Sequence, residues 1–385
     1  MSKIEELIAE LCPEGVKYKS LGEVCLPTSN VDWKKENGRY QYIDLSSVER
    51  ETGTISATET ISSDTAPSRA QKIVKTDDVI FGTTRPTLKR YCFIPKDYDG
   101  QICSTGYCVL RANKNVVIPS FIFHIVGASS FSNYVEVNQK GSAYPAISDI
   151  EVKRFRFPLP PLPVQQEIVR ILDNFTELTT ELTTELTARK KQYEYYRDEL
   201  LTFEDDIQLK TLGKLCGTIT TGRLNANAMV QGGKYPFFTC DSTPFRIDEY
   251  AFDTTAIIVS GNGSQVGHIN YYEGKFNAYQ RTYVLSDFLG VNKAYLYFYL
   301  KAHLRKYIIV HSKKGSVPYI TMPMLQNFKV PIPADEKQEQ VITILKRFDA
   351  LCNDLTSGLP AEIEARKKQY EYYRDKLLTF KEASA

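Results

Sequence analysis

Two sets of polar loops hold the side chains whose types could do chemistry. In the first, Gly82-Thr-Thr-Arg85-Pro-Thr-Leu-Lys89-Arg90 follows an apolar run, and Lys140-Gly-Ser142-Ala-Tyr144 comes later. In the second, Ser260-Gly-Asn262-Gly-Ser264-Gln265 follows Ala256-Ile-Ile-Val259. Gln280 and Arg281 come next, then Lys313-Lys314-Gly-Ser316 and Tyr319. These types support recognition of a polyanion rather than bond-breaking. Lys and Arg neutralise phosphates, while Asn, Gln, Ser, Thr and Arg hydrogen-bond to base edges. Any one of these residues reads equally well as a solvated loop position; the matched order in the two sets is what singles them out.

Catalytic patterns do not appear. The chain has no G-x-x-x-x-G-K-[ST] phosphate loop and neither F-x-G-x-G nor [DN]-P-P-[FYW], so a nucleotide or methyl-donor site of those kinds is not expected. Gly261-Asn-Gly263 resembles a phosphate cradle, but no helix opens behind it. Glu151-Val-Lys153 matches the E-x-K element of metal nucleases, yet Asp149 is too close to be its partner acid. The cysteines, at 12, 25, 92, 103, 108, 216, 240 and 352, form no C-x-x-C. With only four histidines, no zinc site and no disulfide framework follow. No apolar run is long enough to span a bilayer, and the acidic, amphipathic start MSKIEELIAE is no signal peptide, so the expectation is a reducing cytoplasm.

Charge supports the recognition reading. The chain of 385 residues has a formal charge of +2. Val16 to Phe157 carries 19 Lys and Arg against 15 Asp and Glu, a surplus of +4. Ile207 to Val330 carries 14 against 6, a surplus of +8, which leaves −10 for the remainder. Two basic regions joined by acidic ones point to a polyanion at the basic regions.

The elements that position these loops are duplicated. Ala188 to Phe203 reads ARKKQYEYYRDELLTF and Ala365 to Phe380 reads ARKKQYEYYRDKLLTF, identical except at Glu199 and Lys376 and offset by 177. Upstream, Pro158-Leu-Pro160 with Gln165, Ile168, Ile171, Leu172 and Phe175 corresponds to Pro331-Ile-Pro333 with Gln338, Val341, Ile344, Leu345 and Phe348, offset by 173. The four-residue difference is about one helical turn. Val16-Lys-Tyr-Lys-Ser-Leu21-Gly22 likewise resembles Ile207-Gln-Leu-Lys-Thr-Leu212-Gly213. The repeat unit is therefore a globular region followed by a long helix, used twice.

Four segments follow: 1–157, an N-terminal helix and first globular domain; 158–206, a proline linker and long helix; 207–330, the second domain; 331–385, a second long helix broken near Gly358 to Pro360. Strands are expected at Gln41–Leu45, Lys72–Lys75, Asp78–Phe81, Tyr107–Leu110, Ala256–Val259 and Ala278–Leu285, and helices at Pro119–Ile125 and Tyr295–Leu304. Pro158 to Pro163 is expected to continue neither helix nor ladder. Residues 168, 171, 175, 178 and 182 step in a coiled-coil rhythm, and Thr176 to Thr187 repeats Thr-Glu-Leu-Thr three times. Because Leu-Leu-Thr-Phe ends both long helices, Phe380 should lie near Val16.

A duplicated globular-plus-helix unit with basic domains and acidic helices resembles the specificity subunit of type I restriction–modification enzymes. ARKKQYEYYRD-LLTF is similar to that family's central and C-terminal regions, and P-L-P-P-x-x-x-Q-x-x-I is similar to the entry into its helices. Ala66-Pro-Ser-Arg-Ala-Gln71 through Phe81-Gly-Thr-Thr-Arg-Pro86 resembles one class of its recognition domains. The resemblance implies an α+β chain: two similar mixed α/β target-recognition domains, a pseudo-twofold repeat, and two long helices in an antiparallel coiled coil. It implies that each domain reads half of a bipartite, asymmetric DNA site, with no catalytic residue in this chain. Two modification subunits carrying S-adenosylmethionine, and restriction subunits using ATP and Mg, would be its partners. Tyr193, Tyr196, Arg197 and Leu200, with Tyr370, Tyr373, Arg374 and Leu377, would pack in the helix pair or against those subunits. The alternative is a stand-alone scaffold whose basic domains bind RNA or a protein.

Overall fold

Apolar runs covered on both faces become the central strands here, and apolar stripes spaced by three and four become the helices that cover them. The computed structural model describes the chain except Met1, Glu51, Asp205, Asp206, residues 312–317, Leu355 and residues 384–385. It divides into two compact units, Met1–Thr184 with Glu362–Ala385, and Glu185–Ala361.

The first unit holds two four-stranded sheets. In one the order is Cys25–Leu26, Tyr107–Ala112, Val79–Gly82, Tyr91–Phe93, all antiparallel. In the other it is Glu59–Ile61, Tyr40–Ile43, Ile102–Ser104, Ala70–Ile73, with one parallel pair that sets Tyr42 opposite Ile102. Helix Pro119–Gly127 starts on a proline, whose missing N–H needs no partner at that position. It buries Phe121, Ile122, Ile125 and Val126 against Phe81, Cys108 and Leu110.

The second unit has one six-stranded sheet: Cys216–Thr221, Thr282–Phe288, Phe252–Ser260, Ile269–Ala278, Tyr235–Phe238, Phe245–Ile247. Ile269–Ala278 pairs along its length with Phe252–Ser260, and its end pairs in parallel with Tyr235–Phe238. In the first unit that role is divided between Tyr91–Phe93 and Ile102–Ser104. Pro95 and the 3-10 turn Lys96–Tyr98 stand between them, and Gly100 adopts φ +72. A residue without N–H and a left-handed turn end the ladder, so one sheet becomes two.

The long helix Leu162–Leu200 has 39 residues and is about 58 Å long at ~1.5 Å per residue. Val164, Ile168 and Leu172 enter the core of the first unit, and Tyr193 enters that of the second. Its threonines would compete for backbone groups, but Thr179, Thr180 and Thr184 donate to the carbonyls four residues back (2.7–2.9 Å for the set with Thr183). Helices Asp335–Asn353 and Leu359–Leu377 follow later. Val341, Ile342 and Leu345 serve the second core, while Tyr370 and Leu377 pack against the first.

A buried glutamine joins helix to domain in each unit. Gln165 accepts from the Ile118 N–H (2.9 Å) and donates to the carbonyls of Pro160 (2.8 Å) and Val116 (3.1 Å). Gln338 accepts from the Asn292 N–H and donates to the Pro333 carbonyl, both at 2.9 Å.

Three expectations are corrected. Pro158 does enter a ladder: Arg156–Leu159 pairs with Lys17–Ser20, with Pro158 opposite Tyr18. Lys329–Pro331 pairs with Leu209–Thr211 in the same way. A two-stranded ribbon has two free edges, so proline's missing donor can face outward. Ala278–Leu285 is not one strand: Tyr279 to Arg281 turn, with Thr282 N–H donating to Tyr279 O (2.8 Å). The helix expected at Tyr295–Leu304 runs Lys293–His311. The neighbourhood of Phe380 and Val16 is as expected. Tyr18 Oη donates to Phe380 O (2.9 Å), Val16 N–H donates to Lys381 O (2.9 Å), and Ala383 N–H returns to Val16 O (2.9 Å). Among the described residues no helix is long and apolar enough to cross a membrane.

Candidate nucleic-acid interface

In the first unit, backbone hydrogen bonds draw three loops together at the end of strand Val79–Gly82. Thr83 N–H donates to Gly106 O (2.7 Å), and Ile147 N–H donates to Thr83 O (2.9 Å). Thr84 bridges to Ala146, and Arg85 N–H donates to Pro145 O (2.7 Å). The second unit repeats this clasp at the end of strand Phe252–Ser260. Gly261 N–H donates to Arg281 O (2.9 Å), Ile320 N–H donates to Gly261 O (2.8 Å), and Asn262 bridges to Tyr319. The approach requires glycine, because a Cβ on Gly261 would stand 2.2 Å from the Arg281 carbonyl oxygen.

The clasp gathers most of the first set of candidate residues. Arg85 is exposed, sits in the left-handed region at φ +48, and places its guanidinium over the Tyr144 ring at 4.8 Å. Lys89 is also left-handed, at φ +52. Each such residue costs about 1–3 kcal/mol, which the flanking hydrogen bonds must hold in place. Lys140 and Ser142 are exposed, and Tyr144 is 71% exposed. Arg90 is a correction: its Nη1 donates to the Leu45 carbonyl (3.1 Å) and its Nε is buried, so it braces the loop from beneath.

In the second unit Asn262 is half-buried and its Oδ1 accepts from Cys240 Sγ (2.9 Å). Arg281 is exposed, and Gln280 donates to Asn225 Oδ1 (2.9 Å). Ser264 is exposed, with its carbonyl taken by Arg305 (3.3 Å), and the half-buried Gln265 offers its carbonyl to the His268 N–H (2.9 Å). Tyr319 is exposed. Lys313, Lys314 and Ser316 lie outside the described residues. Sequence reasoning missed Cys240 and the exposed Arg69, whose carbonyl accepts the Thr105 N–H (2.8 Å) beside Gly106. Matching Gly106 to Arg281, each just before its central strand, would have pointed to that third loop.

The helical candidates divide by burial. Tyr196 stacks on Phe348 (5.7 Å, 28°) and Tyr373 on Phe175 (5.4 Å, 20°), so aromatic packing in the helix pairs is present in both units. Arg197 and Arg374 lie over the rings of Tyr193 and Tyr370. Tyr370 Oη meets His124 Nδ1 (2.9 Å), and His124 Nε2 meets Asp173 (2.8 Å). Burial pushes both the Tyr193 and the Tyr370 phenol upward. Leu200 and Leu377 pack at the edges of their cores. As residues for a partner to touch, Tyr193 and Arg374 are corrections: both are buried within the chain. The exposed tyrosines that sequence reasoning passed over are Tyr195 and Tyr372.

Comparison with known proteins decides the family. The model of the type I restriction modification DNA specificity domain matches residues 13–190 and again residues 204–365. The chain is a member of the type I specificity family. It is 36% identical over 262 residues to the EcoR124I/EcoR124II specificity subunit of Escherichia coli, spanning 61% of this chain and 65% of that one. It is 31% identical over 246 residues to the EcoprrI specificity subunit of the same organism, spanning 59% and 60%. A structure described as showing complex assembly and conformational transition of the type I R-M system has TM-score 0.65 and 26% identity, covering 95% of this chain and 98% of that one. The S subunit of M. genitalium, TM-score 0.62 at 16% identity, shares the fold. The two mixed α/β domains with a long helix between them are the architecture of this family. As a specificity subunit the chain is the non-catalytic, DNA-recognising part of its enzyme, and its specificity domain is present twice, as a bipartite recognition role requires.

Proposed function

We propose that each three-loop clasp reads one half of a bipartite, asymmetric site on double-stranded DNA. The observation that carries this reading is the repetition of the clasp, with two matching backbone hydrogen bonds and a matching bridge, at equivalent strand ends of both units. Exposed Arg85, Lys89 and Lys140 in one and Arg281 in the other supply phosphate affinity or bidentate contacts to guanine. Asn262, bridged to Tyr319, and Gln280 supply amide groups for base edges. The long helices set the spacing of the half-sites and dock two modification subunits, with restriction subunits joining the assembly. The chain has no cofactor of its own; S-adenosylmethionine, ATP and Mg belong to those subunits, and the complex works in the cytoplasm.

The test is to express the chain with its modification subunit and map methylated adenines. One asymmetric motif in two halves with a fixed gap is expected. A continuous motif, or methylation without sequence preference, overturns the reading.

A further inference from the structure

The repeated helical segment keeps more than its buried side. Packing alone would preserve the buried or half-buried positions, Tyr193, Arg197, Leu200 and Leu201, with Tyr370, Arg374, Leu377 and Leu378 as their counterparts. Yet Lys191, Glu194, Tyr195 and Thr202 are exposed and recur unchanged as exposed Lys368, Glu371, Tyr372 and Thr379. Thr202 and Thr379 each donate to the carbonyl four residues back (2.6 and 2.7 Å), and Lys368 pairs with Glu364 (3.5 Å), which leaves the two exposed tyrosines as the identities that packing does not ask for. Tyr195 is 66% exposed and Tyr372 62% exposed, a repeated outlay of apolar surface to water.

Both tyrosines are held in the same pose. Tyr195 meets Tyr196 edge-on at 5.4 Å and 77°, and Tyr372 meets Tyr373 at 5.3 Å and 77°. Tyr196 and Tyr373 are themselves fixed by stacking on Phe348 and Phe175. An aromatic ring that is solvent-facing yet already oriented loses little freedom on binding, which is the character of an interface anchor. Two identical anchors in identical poses fit one partner patch, used twice.

The single difference within the segment falls on this exposed face. Glu199 and Lys376 are both exposed, one turn beyond their tyrosines, and they carry opposite charges. The Lys376 ammonium lies 6.0 Å from the Tyr372 ring centroid, so one anchor is flanked by a cation and the other by a carboxylate. A given patch on the partner therefore meets attraction at one site and repulsion at the other.

We propose that Tyr195 and Tyr372 anchor two copies of the same modification subunit, and that the Glu199/Lys376 reversal makes the two docking sites unequal, so that the copies load in separable steps. This rests on the docking reading above. An exposed ion pair is a small effect, and turning attraction into repulsion doubles it, so the stepwise affinities should differ on the order of tenfold beyond statistics.

The experiment titrates the purified modification subunit into the full chain, with stoichiometry and stepwise affinities read by native mass spectrometry and calorimetry at low and high salt. Two unequal steps are expected, drawing together as salt screens the charges. Glu199→Lys alone, and Lys376→Glu alone, should each reduce the two steps to the statistical ratio of identical sites, and the double exchange should restore the gap. Tyr195→Ala should weaken one step only, leaving thermal unfolding unchanged. Equal steps in the unaltered chain, or a gap indifferent to both charge reversals, overturns the inequality and leaves the docking reading standing. Unchanged binding by Tyr195→Ala with Tyr372→Ala overturns the anchors. Failure of the unaltered chain to bind any modification subunit overturns the docking reading and this inference with it.

Discussion

At the scale of single residues, Gln165 and Arg90 separate what holds the molecule together from what it presents. Gln165 is fully buried and satisfies one backbone N–H and two carbonyls, the bond to Pro160 being wholly shielded from water. Gln165→Leu should cost about 2–4 kcal/mol, since each orphaned buried group forfeits about 1–3 kcal/mol and part of the site can relax. Chemical denaturation would show it as a lower midpoint for the first unit. Arg85→Ala should weaken binding of the methylating complex to duplex DNA by roughly 5- to 150-fold if the guanidinium reads a base, with relaxed specificity at one position. If it touches only phosphate, the loss should be uniform over sequences and the salt slope shallower by about one. Arg90→Ala should do neither and should lower stability, because its guanidinium serves the Leu45 carbonyl. Binding isotherms at several salt concentrations, set beside melting curves, distinguish these outcomes.

At the scale of elements, the Thr-Glu-Leu-Thr run is the place to lengthen the ruler. One more copy after Thr187 adds ~6 Å and turns everything beyond it by ~40°. B-DNA rises ~3.4 Å and turns ~34–36° per base pair, so length asks for nearly two base pairs and rotation for one. Misphasing takes a reading loop out of its groove, whereas a few ångströms are absorbed by tilt or DNA bending. The expected spacer is one base pair longer with both half-sites unchanged, as mapping of methylated sites would reveal; an unchanged spacer means this helix does not set the distance. The helices were legible in the sequence because they lack glycine, are long, and occur twice. Strand ends were less so. Ala278 to Leu285 contains no glycine or proline to mark a break, yet the clasp onto Gly261 turns the chain at Tyr279 to Arg281. Pro158 reads as a breaker but needs only a free edge. Which polar residues converge depended on hydrogen bonds between segments far apart in sequence, such as Ile147 to Thr83, and periodicity carries no record of those.

At the scale of the whole molecule, each domain carries its own clasp on its own sheet. Replacing Val16 to Phe157 with the corresponding domain of another specificity subunit should change one half of the methylated motif and leave the other half intact; a change in both halves would contradict modular reading. The first unit is also completed from a distance, since Glu382 pairs beside Val16 and Arg156 binds Glu382 (2.9 Å). Removing residues 381 onward should lower the melting temperature of the first unit while the second, built wholly from Glu185–Ala361, melts as before. Calorimetry resolving two transitions would show which one moves.

That division also fixes an order of birth. A ribosome adding about 5–20 residues per second delivers the whole of Glu185–Ala361 roughly 10–35 s after Thr184, and only then the segment that completes the first unit. The domain made second can therefore finish folding first. Through that interval the nascent first domain waits with the seat for Tyr370, Leu377 and Leu378 uncovered, an apolar groove open to chaperones and to other chains. Slow codons within 185–361 would prolong that exposure, whereas slow codons upstream of it would not.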